Sequence, residues 1–250
     1  MKNTGILRIQ AFGARQSSPI EGVLVTVSGN GFTAQRITDE TGTAADISIE
    51  APSCALSLQE DNTIRPYAVV DLTATKAGFR TVRIQGVQIF AGQVTLAQPE
   101  MIPETEEGLY VANPPVVIPE HSLFTVDGGS GPDPMENCMP RVLSRVIIPK
   151  NITVHLGKPA ASARNVTVSF RDYIANVASS EVYPTWPEQA LRANIHCQIS
   201  LALNRIYTEW YPSKGYTFNI TNSTSYDQYY VHGRTVFDVM VRITNDIFNT

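Results

Sequence analysis

A glutamate at the end of a short predicted helix is the residue of this chain best placed for acid–base chemistry. Ser169 is a suitable N-cap with Asp172 at the third helical position, and apolar side chains then recur at helical spacing. The recurring apolar side chains are Phe170, Tyr173, Ile174, Val177 and Ala178. Glu181 lies one further step of three along this stripe, so we expect its carboxyl group to be partly buried.

We expect the pKa of Glu181 to be raised. Partial desolvation disfavours the carboxylate anion, and the negative end of the helix dipole disfavours it again. A carboxyl group that stays protonated near neutral pH is the general acid that cleavage of a glycosidic bond requires. The alternative, which the periodicity alone favours, is a surface glutamate at a frayed helix end.

Glu188 is the competing carboxylate, and its surroundings indicate a structural role. Thr185-Trp186-Pro187-Glu188 has the pattern of a capping box, in which Thr185 caps a helix and Glu188 reaches back to it. The predicted helix covers about residues 187–210 and carries apolar side chains on one face. These are Leu191, Ile195, Ile199, Ala202, Leu203, Ile206 and Trp210.

No strong metal or cofactor motif is present. The three cysteines, Cys54, Cys138 and Cys197, lie far apart, which excludes a CxxC metal pair and a disulfide framework. His196 and Cys197 lack a ligand-type residue four positions away, and His121 and Cys138 lack a partner at ligand spacing. We therefore expect no metal and no cofactor, and solvated linker positions for His121 and Cys138.

The formal net charge of −4 over 250 residues conceals three segments of different charge. Residues 1–103 carry −1, residues 104–140 carry −7, and residues 141–250 carry +4. Eight prolines in residues 99–140 and the run Gly128-Gly129-Ser130-Gly131 predict an extended linker that a protease can reach. The charge balance excludes a dedicated nucleic-acid binder, the positive last segment suits an anionic glycopeptide polymer, and no apolar run predicts a membrane span.

Residues 1–103 have the pattern of a β-sandwich. Short β-branched runs recur at a spacing of about 8–12 residues, with turn signals such as Gly29-Asn30-Gly31 between them. Residues 19–25 (PIEGVLV), 38–42 (TDETG) and 77–79 (AGF) resemble the transthyretin-like or carboxypeptidase-regulatory-like fold. The resemblance implies a carbohydrate-, wall- or partner-binding module, or a pro-region that masks an enzyme. A structural spacer is the alternative.

Residues 173–194 resemble the core motif of the stage II sporulation protein D (SpoIID/LytB) family. They run YIANVASSEVYPTWPEQALRAN, and the family has a Ser-Glu-Met-Pro-like turn followed by Trp-Pro and Glu-Ala-Leu-Lys-Ala-Gln. Its members are lytic transglycosylases of peptidoglycan, and the glutamate after the serine is catalytic, which implies this role for Glu181. Tyr226, Asp227 and Gln228 are then candidate sugar contacts, through a ring that packs on a pyranose and polar groups that meet hydroxyls. A plain connecting loop is the alternative for these three.

The chain also departs from the family pattern. Val182-Tyr183-Pro184 stands where many members have Met-Pro, and Asp227-Gln228 stands where members with a metal-associated His-Cys-Gln have a cysteine, so we expect no zinc. The family's catalytic domain normally continues well beyond residue 250. We therefore expect an incomplete domain that leaves the apolar face of residues 236–248 exposed.

The whole layout is similar to the clostridial spore cortex-lytic enzyme precursors of the SleC type. This similarity implies an α+β multidomain chain: a β-sandwich at 1–103, a linker at 104–140 and a SpoIID-like α+β domain at 141–250. It further implies cortex hydrolysis during germination, a zymogen activated by a protease that cuts at or near the linker, and a location in the spore cortex, the coat region or the cell wall, although the first residues show no secretory signal. A non-catalytic protein that binds spore or wall polymer is the alternative, and a phage-associated wall enzyme is a further one.

Overall fold

The computed structural model describes residues 3–13, 18–29, 31–59, 62–104, 113–124 and 147–249, and it combines β-sheets with helices in two compact units. The first unit consists of Met1–Glu120 with Gly233–Val239, and the second consists of His121–His232 with Met240–Thr250. Cys138 and most of the predicted linker lie outside the described residues.

Strands make up the first unit and helices dominate the second. The strands of the first unit are β1 (Thr4–Gln10), β2 (Phe12–Gly13), β3 (Leu24–Gly29), β4 (Phe32–Ile37), β5 (Thr43–Glu50), β6 (Ala68–Thr75), β7 (Val82–Ile89), β8 (Val94–Ala97), β9 (Glu100–Met101), β10 (Val116–Val117) and, from much later in the chain, β14 (Val236–Phe237). The second unit contains β11 (Asn151–His155), β12 (Asn165–Ser169), α1 (Phe170–Glu181), α2 (Glu188–Tyr207) and β13 (Ile220–Thr221), and α3 runs over Asp238–Asn249.

The first unit is the β-sandwich that the sequence predicts. One sheet has the strand order β14-β8-β1-β5, and the other has the order β10-β7-β6-β3-β4. Alternate side chains of both sheets are buried in one hydrophobic core, because successive residues of a strand face opposite sides. The predicted hairpin at residues 29–31 is confirmed: β3 and β4 pair antiparallel up to Gly29 and Phe32.

The turn before β5, at residues 39–42, depends on an aspartate and a glycine. The Asp39 carboxylate accepts hydrogen bonds from the Thr41 hydroxyl and from the backbone N–H groups of Thr41 and Thr43, and these bonds lower the pKa of Asp39. Gly42 follows with φ of +72°, and a Cβ there would lie 2.5 Å from the Ala11 carbonyl oxygen. Only glycine fits this close approach.

The structure divides the chain differently from the predicted boundaries at 103 and 140. Residues 113–120 are part of the sandwich, since β10 pairs parallel with β7 and the Ile118 side chain is buried in the core. Glu120 accepts hydrogen bonds from Arg65 and from the Tyr67 hydroxyl. An edge position suits this proline-rich strand because proline cannot donate a ladder hydrogen bond.

A late segment also belongs to the first unit. β14 pairs antiparallel with β8, and Phe237 is fully buried with its ring edge-on to that of Phe90, the ring centroids being 5.3 Å apart. The predicted domain of residues 141–250 is therefore interrupted by residues 233–239.

The second unit places α1 directly after a β-hairpin. β11 pairs with β12 antiparallel and with β13 parallel. The predicted cap is confirmed, since the Ser169 hydroxyl accepts a hydrogen bond of 3.0 Å from the Asp172 N–H. The predicted capping box is wrong: α2 begins at Glu188 with Pro187 as N-cap, and the Glu188 carboxylate binds arginines instead.

The expectation of an exposed apolar face near the end of the chain is also wrong. Met240 and Ile243 of α3 are fully buried, and the Phe248 ring packs edge-on against that of Phe170. Among the described residues no helix combines the length and the apolar character needed to cross a membrane.

Candidate functional site

Glu181 is the last residue of α1, and the helix is held in place by its apolar stripe. Tyr173, Ile174 and Val177 are fully buried, which fixes the rotation of the helix. Glu181 itself is partly exposed. The periodicity therefore places this carboxylate correctly, between the interior and solvent.

Both carboxylate oxygens of Glu181 accept hydrogen bonds from other parts of the second unit. The Gln198 side-chain amide of α2 donates to Oε2 at 2.9 Å, and the backbone N–H of Tyr229 donates to Oε1 at 2.9 Å. Burial raises the pKa of Glu181, whereas these two hydrogen bonds oppose the rise because they favour the anion. The predicted direction of the shift is confirmed, and burial is its main cause.

Gln228 is buried next to the residues that hold Glu181. Its amide nitrogen donates to the Gln198 carbonyl at 3.1 Å, and its amide oxygen accepts a hydrogen bond of 3.0 Å from the Tyr173 hydroxyl. Burial, together with the nearby carboxylates of Asp227 and Glu181, raises the pKa of Tyr173. The Gln228 amide thus joins α1 to α2 in the interior, and the structure gives no exposed face to this predicted sugar contact.

Asp227 is likewise placed inside the unit. Its side chain is 0% exposed and forms an ion pair with Arg205, whose side chain is 7% exposed, at 2.7 Å. The carboxylate also accepts hydrogen bonds from the Tyr211 hydroxyl at 2.5 Å and from the Thr221 hydroxyl and N–H at 2.7 and 3.0 Å. With four donors on its two oxygens, Asp227 anchors the loop and has no free face for a sugar.

Tyr226 is the predicted contact residue that does reach solvent. Its side chain is 38% exposed and lines a cavity of about 550 Å³ together with Trp210, Tyr216 and Lys214. Burial raises the pKa of Tyr211, another wall residue, and the hydrogen bond to Asp227 raises it further. The loop of residues 226–228 thus sends one side chain to a cavity and two into the interior.

His121 was expected in a solvated linker, but it is 1% exposed. Its ring packs on that of Tyr183 with centroids 4.5 Å apart, and the next residue, Ser122, donates a hydrogen bond to the Ser180 carbonyl. The expectation fails because a proline-rich composition indicates a lack of regular secondary structure but does not show whether a side chain is buried. These contacts support the end of α1 just before Glu181.

The described residues contain no group of three or more His, Cys, Asp or Glu side chains placed to hold a metal ion. Cys54 and Cys197 are exposed thiols. No described side-chain set therefore suggests a resident metal.

Sequence reasoning missed Gln198 and the cavity around Trp210. Gln198 lies one residue after Cys197 in a polar stretch of α2 that carries no motif. The sequence does carry a compositional signal for the cavity, because aromatic residues and a lysine are dense at and just after the end of α2. These are Tyr207, Trp210, Tyr211, Lys214 and Tyr216.

No protein-family model matches the sequence. No curated protein matches it significantly either. Among solved structures, the Bacillus anthracis TIE protein is similar over 40% of this chain and 17% of its own, with 13% identity and a TM-score of 0.29. The mercury-inhibited catechol 1,2-dioxygenase from Acinetobacter sp. ADP1 is similar over 47% of this chain and 59% of its own, with 14% identity and a TM-score of 0.29.

A third similar structure is the Klebsiella pneumoniae 5-hydroxyisourate hydrolase, with 21% identity, a TM-score of 0.27 and coverage of 40% of this chain and 92% of its own. The similar region spans less than two thirds of the length of the first two proteins. Scores at this level carry no argument about what the chain does.

Proposed function

We propose that this protein is a lytic transglycosylase that cleaves peptidoglycan glycan strands, with Glu181 as its acid–base residue. The observation that carries the proposal is the partly buried Glu181 carboxyl group, whose pKa is raised by burial and which is held by Gln198 and the Tyr229 N–H. A general acid requires a carboxyl group that is held in one orientation and whose protonated form is favoured, and burial favours that form here.

The proposed reaction needs a single carboxyl group. Glu181 protonates the glycosidic oxygen between N-acetylmuramic acid and N-acetylglucosamine while the bond from C1 to that oxygen breaks. The C6 hydroxyl oxygen of the N-acetylmuramic acid unit then bonds to C1 of the same sugar and gives its proton to the Glu181 carboxylate. This step closes a 1,6-anhydro ring and restores the acid. No water is consumed, so the second carboxylate of a hydrolase is not required.

The Glu181→Gln variant tests this role, because the structure indicates that it will fold. The Tyr229 N–H can donate to the new amide oxygen just as it does to the carboxylate. The Gln198 Oε1 atom is buried and has no hydrogen-bond partner among the described residues, so rotation of the Gln198 amide lets it accept from the new amide nitrogen. Thermal unfolding should therefore remain close to that of the unchanged protein.

Purified cortex or vegetative peptidoglycan is incubated with each variant, and 1,6-anhydro products are measured by mass spectrometry. We expect Glu181→Gln to lose at least about 100-fold in rate, the usual minimum contribution of general acid–base catalysis. Glu188→Gln is the matched control, since that carboxylate is exposed and bound to Arg192 and Arg242. Full activity of the Glu181 variant would refute the assignment.

One observation favours a non-catalytic protein that binds spore or wall polymer. Both Glu181 oxygens are already hydrogen-bonded, so the carboxylate could serve to join α1, α2 and the 226–229 loop. Sedimentation with peptidoglycan without any anhydro product, from the full chain and from chain cut in the linker, would support this alternative.

We further propose that the first unit is a transthyretin-like pro-region or binding module and that a protease activates the chain in the spore. The two-sheet sandwich and the motifs at residues 19–25, 38–42 and 77–79 support the first part. The acidic, proline-rich composition of residues 104–140 supports the second. An increase in activity after limited proteolysis within residues 125–140 of the predicted linker tests the zymogen proposal.

A further inference from the structure

The cavity beside Tyr226 has no role in the proton transfers proposed for Glu181. Its volume is about 550 Å³, within the range of sites that bind small molecules, and its walls include the rings of Trp210, Tyr216 and Tyr226 and the side chains of Lys158 and Lys214. We propose that this cavity binds a hexosamine that carries a carboxylate, the N-acetylmuramic acid unit. The choice of that sugar rests on the proposed function.

The charge of the cavity calls for an anion. Its described lining includes Lys158, Lys214 and Arg205 but no acidic side chain. The Arg205 charge is already matched inside the unit by Asp227. Lys158 and Lys214 are exposed, and the Lys214 ammonium lies 3.7 Å from the centroid of the Trp210 ring. Because both lysine side chains are exposed, they can turn to a carboxylate at little cost.

The aromatic walls call for a ring with an apolar face. Tyr216 packs against Tyr211 and Phe218, with ring centroids 6.1 and 5.1 Å apart, so its position is fixed by neighbours. A pyranose presents C–H groups that pack on such rings, while its hydroxyl and acetamido groups remain near water. A flat apolar wall with two cations therefore fits an acidic sugar better than a free inorganic anion.

The cavity is also close to the proposed acid along the chain. Tyr226 lines the cavity, and the N–H of Tyr229, three residues later, holds Glu181. Three residues span at most about 11 Å. The Cα atoms of Tyr226 and Tyr229 therefore lie within this distance, which is close enough for the proposal that one glycan strand contacts both the cavity and Glu181.

The fluorescence of Trp210 provides a direct test. The chain has two tryptophans, so Trp186→Phe leaves Trp210 as the only one, and the full chain in this background is titrated with N-acetylmuramic acid, N-acetylglucosamine and lactate. We expect saturable binding of N-acetylmuramic acid, and at least tenfold weaker binding of the uncharged sugar and of lactate. Lys158→Met and Lys214→Met should each weaken binding about fivefold, while Lys150→Met, an exposed lysine outside the lining, should not.

Several results would overturn the proposal. These are the absence of saturable binding, equal affinity for N-acetylglucosamine, equal affinity for lactate alone, or an equal loss in the Lys150 variant. Binding that persists while Glu181→Gln still cleaves peptidoglycan would reject the proposed function and leave the cavity proposal standing.

Discussion

Replacement of Asp227 by asparagine should destabilise the second unit strongly. The Asp227 carboxylate is fully buried and accepts four hydrogen bonds, one of them within the ion pair to Arg205. An asparagine has the same shape but only one acceptor oxygen, so its NH₂ group meets donors on one side. It also leaves the Arg205 guanidinium buried without a counter-charge.

The expected loss is about 3–5 kcal/mol, the usual cost of removing one partner of a buried ion pair. Urea unfolding followed by tryptophan fluorescence measures this loss for the correct unit, since Trp186 and Trp210 both lie within His121–His232. With a slope of about 1–3 kcal/mol per molar urea, the midpoint should fall by roughly 2 M.

Asp246→Asn is the matched control. Asp246 also pairs with an arginine at 2.8 Å, but its side chain is 48% exposed, so solvent screens the pair and the midpoint should move little. If the two variants shift the midpoint equally, the structural role assigned to Asp227 is wrong. A double variant with Arg205→Met should lose less than the sum of the single losses, because the charge left unpaired is then removed as well.

Three further predictions concern other parts of the chain. Gln198→Leu removes a hydrogen bond that lowers the pKa of Glu181, so the pH above which the cleavage rate falls should move upward. A pH–rate profile in which this pH is unchanged or lower would contradict the prediction. Chain cut within residues 125–140 should elute as one species in size-exclusion chromatography, because the later piece supplies Val236–Phe237 to the first unit. Separate elution of the two pieces without denaturant would show that β14 is not needed to hold them together. Gly42→Ala should lower the thermal midpoint, by circular dichroism, more than Gly92→Ala: both have positive φ, which costs about 1–2 kcal/mol, but only Gly42 also meets a backbone oxygen.

The parts of the fold that the sequence predicts are those with a local cause. The Ser169 cap depends on a residue three positions away, and the hairpin at residues 29–31 depends on two glycines in a turn. The position of Glu181 follows from helical periodicity alone. In each case the physical constraint lies within a few residues, where a single sequence displays it.

The parts that the sequence does not predict depend on distant partners. β10 and β14 have two residues each, too few to show an alternating pattern, and β14 pairs with a strand some 140 residues earlier. The Asp227–Arg205 pair spans 22 residues with no periodic relation. Such contacts form only when distant segments meet in the folded core, so no local pattern in a single sequence predicts them.

The loop of residues 226–229 contacts both the cavity and the proposed acid, Glu181. Asp227 fixes the middle of this loop through its four hydrogen bonds, and the residues at the two ends of the loop make contacts outside it. Tyr226 presents its ring to the cavity, and the N–H of Tyr229 holds Glu181. The sequence proposes three sugar contacts in this loop, and the structure buries two of them, Asp227 and Gln228, because polarity alone does not distinguish a buried hydrogen-bonding side chain from an exposed one. A change that loosens the anchor should therefore weaken sugar binding and shift the pH dependence of cleavage together, whereas a change at either end should affect only one of them.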